Sequence, residues 1–174
     1  MKNLWMTITL TTICLISCGG SGGDSSTGTP DDDLIAKLAN TSWERECFPY
    51  NELTEPWNIK IKLKIDSALK STYRTEFFHP TDLECDSMVF DYLDISNFKV
   101  SGRIITEESI AANGLDETFV YNSDNRELPP NYTLIYLASE KLYFGQNSGE
   151  NNGETPQTRH SSISLDDYFT QVLN

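Results

Sequence analysis

Histidine is nearly absent, with His79 and His160 the only two in 174 residues. His79 precedes Pro80 in a turn and His160 lies in a polar tail, positions of solvated rather than catalytic side chains. Also missing are a Gly-x-Ser-x-Gly elbow, a His-Glu-x-x-His pair and a Gly-x-x-x-x-Gly-Lys phosphate cradle. The run 122–127 spaces oxygen donors but lacks the Gly and the distant Glu of a calcium loop. Adjacent acidic pairs such as Glu107/Glu108 and Asp166/Asp167 would point to opposite faces of a strand. The expectation is a chain that is not an enzyme, with no catalytic residue, no metal site and no cofactor. Basic charge is scarce too: 13 Lys and Arg stand against 26 Asp and Glu, a net charge of −13. With no basic stripe to displace counterions from phosphates, nucleic acid is excluded as a partner. No apolar run approaches the ~20 residues of a membrane-spanning helix.

What is present begins with Lys2, an uncharged stretch over 4–16, and no acidic residue before Asp24. That length suits the core of a signal peptide. It closes on Leu15-Ile16-Ser17-Cys18, which resembles the lipobox of bacterial lipoprotein signals position for position. The resemblance implies cleavage after residue 17 and acylation of Cys18, so that the chain is held to the membrane of a bacterial envelope by its lipid. Several acyl chains at ~0.8 kcal/mol per buried methylene make a lasting anchor. By the same analogy, Gly19 in place of Asp directs the protein to the outer membrane, facing the periplasm. Residues 18–33, rich in Gly, Ser and Asp, read as a flexible tether with a reach of ~20 Å. Residues 34–174 then form one domain, large enough for its own core.

With Cys14 removed in the leader and Cys18 lipidated, Cys47 and Cys85 are the pair left to the domain. In an oxidising envelope such a pair joins more often than not, and a redox or metal role lacks both Cys-x-x-Cys spacing and nearby His or Cys partners. Periodicity in the domain is two. Over Trp57–Ile65, Trp57, Ile59, Ile61, Leu63 and Ile65 fall on one face, and Asn58, Lys60, Lys62 and Lys64 on the other, the mark of a half-buried antiparallel strand. Less regular runs over 42–48, 71–78, 87–95, 98–106, 117–121, 132–139 and 141–146 bring the expected total to about eight strands. Turn chemistry separates them at Asp66-Ser67, His79-Pro80, Ser96-Asn97, Asn113-Gly114, Pro129-Pro130 and Ser139-Glu140. Short helices are expected over 32–40 and 165–172. Eight successive antiparallel strands leave a closed up-and-down barrel or a sandwich; closure removes exposed edges.

Leu38-Ala39-Asn40-Thr41-Ser42-Trp43 followed by Cys47 resembles the opening of lipocalin-like domains. In one branch, found in bacterial lipoproteins and in secreted proteins related to the adenomatosis polyposis coli down-regulated type, the Trp is followed four residues on by a Cys that pairs with a later one. Asn40 stands where those domains usually carry Gly. The resemblance implies an all-β, eight-stranded lipocalin-like barrel whose end is plugged by Trp43, with Arg159 folding back to stack on it, and a Cys47–Cys85 disulfide. Strand parity turns Trp57, Ile59, Ile61, Leu63, Ile65, Tyr73, Thr75 and Phe77 inward, with Phe98, Val100, Ile104, Tyr132, Leu134, Tyr136, Leu142 and Phe144 as further candidates. Of these, Trp57, Ile59, Ile61, Leu63, Tyr73, Phe77, Tyr132 and Tyr136 are the candidate ligand-binding set, the tyrosines because a buried hydroxyl wants a partner. The functional expectation is a non-catalytic binding module for a small apolar or amphipathic molecule. The alternative is a protein-interaction module with a filled barrel. Cavity volume decides between them: an open, dry-walled pocket of ~300 Å³ or more supports ligand binding, whereas a packed interior leaves the surface to do the job.

Overall fold

The computed structural model describes residues 31–51 and 53–173. The leader, the lipobox with Cys18, and residues 18–30 of the tether lie outside the described residues. Asp31 and the two residues after it, assigned to the tether, instead start the domain: Asp31 caps a helix, α1 (Asp32–Leu38), by accepting from the Leu34 amide at 3.2 Å. Asp32 and Asp33 occupy the first turn and Lys37 the last, as the helix dipole favours. Asn40 follows with a φ of 59°, a left-handed conformation open to Gly and tolerated by Asn.

Eight strands succeed it: β1 (Thr41–Tyr50), β2 (Trp57–Ile65), β3 (Lys70–Phe78), β4 (Met88–Ile105), β5 (Ala111–Asn122), β6 (Asn131–Ala138), β7 (Lys141–Phe144) and β8 (Phe169–Gln171). They pair antiparallel in sequence order and close between β1 and β8. The chain is a closed eight-stranded up-and-down barrel with a lipocalin-like all-β architecture. Its strand boundaries depart from expectation in three places. Ser96-Asn97 does not break the chain; β4 runs through it for 18 residues, absorbing a register shift between Ile95 and Ser96. Asn113-Gly114 lies within β5, because a side chain at Gly114 would collide with Ser101 Oγ, and Asn113 Nδ2 donates to the Ser101 carbonyl at 3.2 Å. The eighth strand is β8, from a stretch expected to be helical.

One end of the barrel is filled. Trp43, 1 % exposed, packs with Leu34 and Leu38 of α1 and with Leu63, Ile65, Val100, Leu115, Ile135 and Leu142. Its indole Nε1 donates to Thr41 Oγ1 at 2.8 Å, so the polar tip of the plug is satisfied. A disulfide joins Cys47 of β1 to Cys85 in the connection from β3 to β4. Asn58 Nδ2 reinforces that connection, donating to the carbonyls of Pro80 at 3.2 Å and Asp82 at 2.9 Å. Outside, Lys60 pairs with Glu44 at 3.3 Å and Lys62 with Glu76 at 2.8 Å.

Between β7 and β8 the chain crosses the outer wall as a strap. Ile163 is buried there among Ala112, Leu134 and Tyr143, with Tyr136 and Tyr168 alongside. Arg159 fixes it, donating to the carbonyls of Leu115 at 2.8 Å and Thr133 at 2.9 Å and pairing with Asp116. The expected stack of Arg159 on Trp43 does not form. Arg159 lies on the side of the barrel, above the Tyr132 ring at 5.7 Å, whereas Trp43 is shielded at the end by α1.

Candidate functional site

Above the filled end the interior opens into a cavity of about 290 Å³ lined by Ile61, Tyr73, Thr75, Asp94, Glu117, Phe119, Asn131, Thr133, Phe144, Gly145 and Phe169. Cross-strand register explains this company. Partners in a ladder share a face, so Thr75 opposite Ile61, Asp94 opposite Tyr73, and Asn131 opposite Glu117 all point inward together. Phe98, stacked edge-on to Phe144, and Phe144, edge-on to Phe169, separate the cavity from the packed end.

Glu117 is the unexpected member. It is 4 % exposed and accepts from Ser96 Oγ at 2.7 Å, from Asn131 Nδ2 at 3.3 Å and from the Tyr73 hydroxyl. Ser96 in turn contacts Ser71 Oγ at 2.5 Å, so the network runs across four strands, β3 to β6. Burial pushes the Glu117 carboxyl above its ordinary range against the pull of those three donors, and the charge of Asp94 adds to the upward shift. Burial and the neighbouring Glu117 push the Tyr73 hydroxyl well up, so it stays a donor. Asp94, nearer the mouth, meets Arg126 at 3.4 Å, and that guanidinium also pairs with Asp124 and lies 5.4 Å above the Tyr92 ring.

At the mouth, aromatic rings form a wall. Phe77 stacks on Phe90 with centroids 4.5 Å apart, and Trp57 meets Phe90 edge-on at 5.0 Å and His79 at 6.2 Å. Tyr50 and Tyr92 complete it against Phe77.

The eight candidate residues therefore separate. Ile61 and Tyr73 line the cavity. Trp57 and Phe77 belong to the rim, where Ile59 lies beside Phe77, its partner across the β2–β3 ladder. Leu63 belongs to the packed end. Tyr132 and Tyr136 are on the wrong face: Asn131, Thr133 and Ile135 take the inward positions of β6, leaving Tyr132, Leu134 and Tyr136 outside under the strap. Ile104, likewise a candidate, packs in that outer cluster, while Phe98, Val100, Leu142 and Phe144 point inward.

Glu117, Asp94, Phe119, Asn131, Thr133 and Phe169 were not anticipated. The inward alternation Leu115, Glu117, Phe119 is visible in the sequence, but a Glu at its centre reads as a break rather than as a buried acid. His160 is not solvated either. Its Nδ1 lies 2.8 Å from Thr133 Oγ1, and because that hydroxyl donates to the Gly145 carbonyl at 3.3 Å, the imidazole serves as a donor rather than as a base. Half-burial lowers its pKa. Among the described residues, no group of three or more His, Cys, Asp or Glu is placed to hold a metal ion. The arrangement offers binding surface: an aromatic and aliphatic wall, with a cluster of polar groups on one side. The chain matches no protein-family profile, no curated protein and no solved structure.

Proposed function

We propose that this protein is an envelope lipoprotein, anchored through Cys18, whose barrel is a non-catalytic binding module for a small amphipathic molecule. The observation that carries the reading is the cavity of about 290 Å³, enclosed by a barrel filled at one end and lined by apolar rings on one side and by Glu117, Asn131, Thr133 and Thr75 on the other. Ligand sites run from ~300 to 1,000 Å³, apolar for the most part with a few convergent polar groups, so a space of about 290 Å³ stands at the lower edge of that range and suits only a small ligand. The polar lining favours an amphipathic ligand over a purely apolar one. The lipobox supports the anchor, and the tether gives the barrel freedom above the membrane.

Native mass spectrometry of the full chain, purified from its bacterial host, tests the reading. A retained small-molecule adduct is expected, lost in Thr75→Trp, which fills the cavity. An adduct-free wild-type protein, or one whose adduct persists in the filled variant, overturns the ligand reading. Radiolabelled palmitate incorporation, abolished in Cys18→Ala, tests the anchor separately.

A second reading, a protein-interaction module, draws on Leu83, Val89 and Met88. They are 73 %, 54 % and 45 % exposed at the disulfide-bearing end of the barrel. Cross-linking in intact cells that is lost when these three become Ser would favour it.

A further inference from the structure

We propose that the barrel cavity takes a small organic cation, a primary or secondary amine whose ammonium group is met by Glu117. The inference rests on the binding reading above and assigns its ligand class. Glu117 is a carboxylate almost wholly withdrawn from solvent, and among the described residues no Lys, Arg or His pairs with it. Its partners Ser96, Asn131 and Tyr73 are neutral donors, which satisfy three of the roughly four lone-pair directions of a carboxylate and leave its charge uncompensated. Ser96 donates to Oε1 and Asn131 to Oε2, so both carboxylate oxygens are held by neutral donors, and what the site leaves unmet is the charge itself, which a cation arriving from outside would compensate.

The rest of the cavity has the same preference. Aromatic rings of Tyr73, Phe119, Phe144 and Phe169 line it, a surface that favours cations, and its second acid, Asp94, meets Arg126 at 3.4 Å, a guanidinium it shares with Asp124. An anionic ligand would face Glu117, Asp94 and a chain of net charge −13, and a neutral one would leave Glu117 without a counter-ion. Arg159, the other cation near this wall, is committed outside the barrel to Asp116 and two carbonyls.

The test uses the full chain and three probes of one shape and different charge: 2-phenylethylamine, 2-phenylethanol and 3-phenylpropionate, titrated at neutral pH by isothermal calorimetry with wild type and Glu117→Gln. The amine is expected to bind wild type at least about tenfold more tightly than the alcohol, with that preference gone in the variant. The comparison within wild type stands even if the variant folds poorly, and the amide spectrum of the variant reports its fold. Equal binding of amine and alcohol by wild type, or tighter binding of the propionate, overturns the cation assignment and leaves the binding module standing. A wild-type preference that survives unchanged in folded Glu117→Gln overturns the role of Glu117. Failure of all three probes overturns the assignment for ligands of this size, and the adduct measurement above then decides the wider reading by itself.

Discussion

Trp43 and Glu117 sit in one barrel about one cavity apart and obey opposite rules. Trp43 is fully buried among aliphatic side chains, and its one polar atom is satisfied by Thr41 within its own strand. Trp43→Ala removes that contact area and leaves a void that α1 and β8 can fill only in part, so urea unfolding is expected to show a loss of about 3–5 kcal/mol. Glu117 contributes through its proton. Burial holds its pKa above the ordinary carboxyl value of ~4.3, so the folded state binds a proton that the unfolded chain has already released. Its contribution is therefore fully present below the unfolded pKa and is lost as pH rises through the folded one. The groups facing it are Tyr73 from β3, Asp94 and Ser96 from β4, and Asn131 and Thr133 from β6, and of these Asp94 and Tyr73 also have raised pKa values, so wild type alone does not isolate the effect. The difference between wild type and Glu117→Gln does. The stability advantage of wild type over the variant is expected to shrink as pH rises above the ordinary carboxyl range and to level off once the folded-state carboxyl has ionised; a difference that does not change with pH would show that Glu117 titrates as a solvated carboxyl.

At the scale of elements, the perfect alternation of β2 was legible because only one of its faces is apolar, while the opposite parity error in β6 has an equally physical cause. Residues 131–138 are apolar on both faces, Ile135 and Leu137 toward the barrel core and Leu134 and Tyr136 toward the strap, so period two cannot select the inner side. Turn chemistry misled at Ser96-Asn97 and Asn113-Gly114, where the small residues serve close approach: Ser96 faces Ser71 across the ladder, and Gly114 lies under Ser101. Of the cavity, Ile61 and Tyr73 were legible from strand parity, whereas its acid was not, since a buried Glu departs from the pattern that identifies a core face. The Cys47–Cys85 pairing was legible from compartment and resemblance and is present. It ties β1 to the connection between β3 and β4 across a separation of 38 residues. In the chain-entropy view, closing such a loop restricts the unfolded ensemble by about 4 kcal/mol. The double variant Cys47→Ser, Cys85→Ser is expected to lose stability of that order in denaturant unfolding, with proteolysis beginning in 79–87. An unchanged midpoint would mean that Asn58 and its three carbonyl contacts already hold the connection by themselves.

For the whole molecule, the decisive step is ring closure, and it is secured unevenly. The β2–β3 and β3–β4 ladders each run through eight or nine paired residues, while β8 meets β1 at Trp43↔Gln171 and Glu44↔Thr170 and meets β7 at Lys141↔Thr170 and Leu142↔Phe169. So short a strand has no periodicity of its own to read, and its conformation is dictated by the two edges it bridges. Those edges need it, since an unpaired β1 and an unpaired β7 would each expose a row of backbone donors and acceptors that invites pairing between chains. Phe169 also supplies one wall of the cavity and part of the packed end, so the seam and the site share a residue. Ending the chain at Tyr168 is therefore expected to do three things at once: open the barrel, release Trp43 toward solvent with a red shift of its fluorescence, and shift the protein to larger species than wild type in size-exclusion chromatography with light scattering. Phe169→Ala, which keeps the backbone pairs, is expected to enlarge the cavity and lower stability by about 3–5 kcal/mol while the protein keeps the wild-type size in solution. If the truncated chain keeps the wild-type size with Trp43 still buried, the strap between β7 and β8, pinned by Arg159 to Leu115, Thr133 and Asp116, is what keeps the barrel shut, and the short strand merely rests on it.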